Sequence, residues 1–163
     1  MLSQIKFRQQ SGMAMLEVLI SILVVSFGLL GLAGLQLVGM KSSQTAYLRS
    51  MATNAAYDMA DRMRANIIGV RNGNYNAISA SIPATPSTVC NGGGGCSAAQ
   101  LASFDATNWL FGYALPGGTG SVTKKVNSNS FVISVQWKEK CGQGEQNCSG
   151  GALDRSFSTE IAP

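Results

Sequence analysis

From Gly12 to Met40 the sequence carries one formal charge, Glu17, and from Val18 to Met40 it runs through 23 consecutive uncharged residues. As an α-helix rising 1.5 Å per residue, that run reaches about 35 Å, enough to cross the hydrocarbon core of a bilayer. A secretory signal peptide would have a shorter apolar stretch with a small-x-small cleavage site behind it. Nothing after Met40 reads as such a site, and the apolar run passes into a helical pattern. Lys6 and Arg8 stand in the polar stretch before the run, which predicts an N-in, C-out orientation. The expectation is a single membrane helix over 13–40 followed by an extracytoplasmic domain over 41–163.

Glu17 is out of place in that setting, because a carboxylate on a membrane helix costs several kcal/mol at the bilayer centre and less near its edge. Its neighbours give it a context. Gly12-Met13-Ala14-Met15-Leu16-Glu17, behind a basic leader and ahead of an apolar helix, resembles the class III signal of type IV prepilins and pseudopilins. The resemblance implies a leader peptide over 1–12, cut after Gly12 by a prepilin peptidase, with Met13 as the new and N-methylated terminus. Glu17 then falls at the fifth mature position, where pilins carry their glutamate. Pilins usually have phenylalanine at the first mature position, and here Met13 stands in its place. A carboxylate one helical turn from a cationic amine can pair with it, or with the amine of a neighbouring subunit, and so set axial register in a filament.

Gly28, Gly31 and Gly34 recur at three-residue spacing inside the run. Small residues permit close helix packing in membranes, and each glycine weakens a helix by roughly 1 kcal/mol relative to alanine. The string from Phe27 to Gln36, and later Leu115-Pro116-Gly117-Gly118, resemble minor pilins of the PilV type. That likeness implies a structural subunit of the type IV pilus, active in priming assembly at the fibre tip. Its partners would be other pilins through the N-terminal helix, the peptidase, the inner-membrane assembly platform, and lipid before assembly. The implied location is the inner membrane, then the pilus. Two other roles share the same signal: a tip subunit contacting surfaces or DNA, and a pseudopilin of a type II secretion system.

The cysteines fit an oxidising compartment. Cys90, Cys96, Cys141 and Cys148 all follow the apolar run, in two short-range pairs. Four cysteines allow three connectivities, and the spacing favours Cys90 with Cys96 and Cys141 with Cys148. Zinc is the rival reading, but the chain has no histidine and neither pair is CxxC. Each disulfide would stabilise by roughly 2–3 kcal/mol and would place the domain in the periplasm or outside the cell.

After Lys41 the pattern turns amphipathic: Leu48, Met51, Ala52, Ala55, Met59 and Met63 recur at helical spacing, predicting a continuation of the helix over 41–68 that fades near Gly69 or Asn72-Gly73. The stretch from Asn72 to Cys96 reads as loop. Ser97 offers an N-cap to a short helix carrying Leu101, Phe104, Leu110 and Phe111. Strands are expected over 121–126 and 130–138, joined at Asn127-Ser128-Asn129, with Phe131, Ile133, Val135 and Trp137 on the buried face. A last strand over 153–161 would place Phe157, Thr159 and Ile161 on one side. The sum is a pilin-like α+β fold, a long N-terminal helix on a small antiparallel sheet.

Catalysis finds no foothold. Without histidine the commonest general base and metal ligand is missing, and none of the eight acidic residues forms an evident acid/base pair. Gly92 to Gly95 lacks the Lys-Ser/Thr ending of a phosphate loop. Neither a cofactor nor a metal is expected. Net charge is +4 for twelve basic and eight acidic residues; without Lys6 and Arg8 it falls to ten against eight, or +2. So near-neutral a domain gives weak support for a nucleic-acid partner, and Lys124-Lys125 and Lys138/Lys140 read as solvated strand faces.

Overall fold

The computed structural model describes residues 13–82, 90, 94–141 and 151–163. The chain divides into two units at the Gln44–Thr45 boundary. Helix α1 (Met13–Ala65) begins in the first and ends in the second. In the first unit, every residue from 15 to 44 is exposed, including all seventeen large apolar side chains from Met15 to Met40. The helix is long and apolar enough to cross a membrane. Two hydroxyls in it are satisfied internally, Ser21 donating to the Glu17 carbonyl and Ser26 to that of Ile22, each at 2.7 Å.

In the second unit, α1 turns Leu48, Ala52, Ala55, Ala56, Met59 and Met63 into a core shared with the sheet. The alanines at this spacing keep the helix surface low, so the methionines and the facing aromatics fill the space between. The methionines are core, as the periodicity predicts. Helix α1 stops at Ala65, and α2 (Ile67–Arg71) follows after one residue, Asn66, whose φ of −112° and ψ of 54° break the helical run.

Four antiparallel strands lie in sequence order: β1 (Ala77–Ser81), β2 (Thr119–Lys124), β3 (Phe131–Lys140) and β4 (Ala152–Ile161). The stretch expected as loop therefore contains a strand. Ala-Ile-Ser-Ala-Ser has one large apolar residue and little intrinsic β preference; pairing of Ile78 with Val122 and burial of Ile78 supply what propensity does not. Strand β2 starts two residues before its expected start, because Gly120 is paired with both Ala80 and Val135. In β3 the alternation holds: Phe131, Ile133, Val135 and Trp137 are buried. Phe157, Thr159 and Ile161 share the inward side of β4, opposite Val135, Ile133 and Phe131. Asn127 takes the left-handed conformation, φ 58°, in the turn between β2 and β3.

Helix α3 (Ala98–Asn108) opens on a capping box, Gln100 N–H donating to Ser97 Oγ while Ser97 N–H donates to Gln100 Oε1. It ends earlier than expected: Leu110 and Phe111 lie past it, Leu110 buried and Phe111 exposed. Trp109, the residue after the helix, is fully buried. Its indole ring occupies the space over Gly120, where a Cβ would collide with the ring carbons, so the glycine is the notch in the sheet that seats the tryptophan. The architecture is α+β, a long N-terminal helix with a four-stranded antiparallel sheet.

Candidate assembly helix and buried hub

Met13 opens α1, while Gly12, the residue expected before the cut, lies outside the described residues. Glu17 stands in the second turn of α1, exposed, its carbonyl receiving the Ser21 hydroxyl. Further along, a Cβ added at Gly28, Gly31, Gly34 or Gly39 would meet nothing within 4 Å. Among the described residues no close approach requires glycine at those four positions, although each lowers helix stability by roughly 1 kcal/mol against alanine.

A polar cluster forms where α1, α2 and α3 meet within the second unit. The Asn66 amide donates to the Ala98 carbonyl at 2.8 Å and to the Tyr75 hydroxyl at 3.1 Å, while its oxygen accepts from Gly69 N–H at 3.2 Å. Tyr75 in turn donates to Asp105 Oδ2 at 2.5 Å, and Arg62 reaches Asp105 Oδ1 at 3.3 Å and Asp58 at 3.1 Å. Burial pushes the Tyr75 phenol well above its ordinary range, and the hydrogen bond to the Asp105 carboxylate adds to the shift. Every polar atom that burial strips of water here thus has a protein partner, which makes the cluster a structural joint. The sequence showed these residues scattered over more than forty positions, and no spacing rule joins Arg62 to Asp105.

The expected cysteine pairs are covered unequally. Cys90 and Cys96 have their sulfurs 2.10 Å apart and their Cα atoms 5.7 Å apart. Cys141 is also disulfide-bonded. Cys148 lies outside the described residues. Among the described residues no group of histidine, cysteine and carboxylate side chains is arranged to hold a metal.

The lysine-bearing strands are not uniform. Lys125 is tied to Glu160 Oε2 at 2.8 Å, and the Ser130 hydroxyl donates to the other Glu160 oxygen at 2.7 Å. The lysine, then the serine, hold the Glu160 carboxyl below the usual range. Lys124, Lys138 and Lys140 are exposed. Glu139, by contrast, is buried and accepts from Trp137 Nε1–H at 2.9 Å and Arg155 Nε–H at 3.3 Å. Its position two residues after Trp137 continues the inward alternation of β3, although a carboxylate is an uncommon residue on that face.

A family model described as Type IV pilin Tt1218 matches residues 34–107, from the middle of α1 through α2 and β1 into α3. The match covers less than half of the chain and likens it to the type IV pilin superfamily, with which its long N-terminal helix and small antiparallel sheet are consistent. No curated protein and no solved structure matches it. Type IV pilins are structural proteins that associate with other pilins in a pilus, and the apolar helix suits both membrane anchoring and a place in the fibre.

Proposed function

We propose that the chain is a minor subunit of a type IV pilus, of the PilV type, that helps to prime assembly at the fibre tip. It is made with a leader, cut after Gly12 by a prepilin peptidase and methylated on Met13. Before assembly it sits in the inner membrane, N-in with the domain in the periplasm, and the assembly platform draws it into the fibre. Four glycines with open space around them on an exposed helix carry this reading, because their cost is offset only if another helix comes close. Glu17 supplies the register. At 4 Å, opposite unit charges attract by about 1 kcal/mol in water and about 4 kcal/mol at an effective dielectric constant of 20, so an amine from a neighbouring subunit is worth most once lipid or protein has displaced water.

The disulfide pairing Cys90–Cys96 and Cys141–Cys148 belongs to the same proposal and suits the periplasm. A pseudopilin role shares every feature of the helix and predicts a different phenotype. Deletion of the gene abolishes or thins surface pili if the chain serves a pilus, with protein secretion intact. Lost secretion with normal pili assigns it to a type II system instead. A tip role in binding DNA or surfaces through Lys124/Lys125 predicts lost uptake or adhesion, with piliation kept, when those lysines are replaced.

A further inference from the structure

We propose that the recess bounded by α2 and the β2–β3 turn binds an acidic peptide segment that also presents an apolar side chain. The recess has a volume of about 380 Å³ and lies wholly within the second unit. Ile67, half-buried, gives its lining accessible apolar surface, Val70 and Phe131 are nearly buried in it, and Arg71 and Lys124 supply its charge. Asn129 adds a neutral polar group, and Pro163 closes one end.

Charge complementarity identifies the occupant. No lining side chain is a carboxylate. Among the described residues neither Arg71 nor Lys124 has an ion pair, to the terminal carboxylate of Pro163 or to any other acid, whereas the adjacent Lys125 is held by Glu160. Lys124 Nζ lies 6.0 Å from the centre of the Phe131 ring, so its nearest described interaction is with an aromatic face. The recess therefore offers two cations without an ion pair among the described residues, against the single terminal carboxylate of Pro163, beside apolar side chains, the complement of a carboxylate next to an aliphatic or aromatic side chain.

Ile68 on α2 is 63% exposed and Val126 on the turn is 87% exposed, so both elements that bound the recess also carry an exposed apolar side chain. The turn that carries Val126 is held in place: Ser128 and Ser130 share a hydrogen bond at 2.8 Å, and Ser130 and Lys125 both engage Glu160. A fixed apolar tip loses little conformational freedom on binding.

Other polyanions fit less well. Single-stranded nucleic acid is gripped by aromatic faces open to stacking, and Phe131 is only 2% exposed. A membrane surface attracts basic side chains without filling a recess. The assignment stands independently of the filament reading, since it uses residues of the second unit alone.

The test is a titration of the full-length, ¹⁵N-labelled chain in detergent micelles with three probes: the capped tetrapeptide Leu-Glu-Leu-Glu, its Leu-Gln-Leu-Gln counterpart, and inorganic phosphate. The acidic peptide is expected to shift the amides of Ile67–Arg71 and Lys124–Phe131 saturably, and to bind roughly tenfold tighter than the glutamine peptide. Arg71→Gln and Lys124→Gln should each weaken it several-fold, while Lys140→Gln leaves it unchanged. Unshifted Ile133 and Val135 amides show that each variant is folded. Equal binding of the two peptides overturns the proposal, as does phosphate binding as tightly as the peptide, shifts confined to other residues, absence of saturable shifts, or affinity unaltered in both variants.

Discussion

The indole N–H of Trp109 donates to the main-chain carbonyl of Ala55 at 2.7 Å, joining the residue just past α3 to the C-terminal part of α1 in the interior of the domain. The same ring sits over Gly120 in β2, so one side chain touches a helix on one side and the sheet on the other. A tryptophan fits there because its large apolar body fills the layer while its single donor finds an acceptor.

Gly120→Ala is therefore expected to destabilise the domain by about 1–3 kcal/mol, the range for inserting a methyl group into a packed core. Trp109→Ala should cost about 3–5 kcal/mol through the cavity it leaves. Thermal unfolding of the full chain in micelles, followed by tryptophan fluorescence and circular dichroism, measures both. An alanine at 120 that leaves the midpoint unmoved contradicts the seat described here.

The Tyr75–Asp105 contact makes an alkaline prediction with a definite sign. Below its ordinary pKa of 10.0 the phenol is neutral in both folded and unfolded chains, and its contribution is fully present. Above that pH the unfolded chain loses the proton while the folded one keeps it, so stability falls as pH rises through the raised folded value. Tyr75→Phe should remove this part of the alkaline slope. Near neutral pH it should cost about 1–3 kcal/mol, because the buried Asp105 oxygen loses its donor. Denaturant melts at stepped pH report both effects.

Glu160 predicts the opposite slope on the acid side. Its carboxyl is held below the ordinary value by Lys125 and Ser130, so whatever stability it lends is present above the unfolded pKa and is lost as pH falls through the folded one. Lys125→Ala should raise the Glu160 titration midpoint, read by side-chain carboxyl NMR. The group is exposed, so added salt should shrink the difference.

Replacing both Cys90 and Cys96 by serine should lower domain stability by about 2 kcal/mol, the modest figure set by a short closed loop. Chemical denaturation with and without reductant tests it; reductant should also bring the wild type down, by at least as much.

Leucine at Gly28, Gly31 and Gly34 separates fold from assembly. Since, beyond the adjacent backbone of the helix itself, no described atom lies within 4 Å of those Cβ positions, the triple variant should fold normally in micelles, its helix slightly more stable. Its recovery in sheared filaments should fall sharply. Normal recovery would mean that no neighbouring helix approaches there.

Much of this was legible because it is periodic. The helical spacing of Leu48 to Met63 and the alternation of Phe131 to Trp137 each follow from one buried face, and Ser97 with Gln100 is a local signal complete in itself. What escaped depends on partners distant in sequence. Strand β1 exists because β2 pairs with it, and Leu110 is buried outside a helix because Trp109 anchors the turn. The hub of Arg62, Asn66, Tyr75 and Asp105 has no periodicity at all, and no local pattern in the sequence sets Asp105 apart from the other acids. Glu17 is the reverse case: the sequence singles it out, whereas among the described residues no partner meets its exposed side chain.

Intact mass spectrometry of the chain recovered from sheared filaments, for wild type and Glu17→Ala, tests the central claim most directly. The account predicts a wild-type chain that begins at Met13 with a methylated amine, and a Glu17→Ala chain that stays in the membrane fraction and is depleted from filaments. A wild-type chain retaining residues 1–12, or a Glu17→Ala chain present in filaments at the wild-type level, would contradict it.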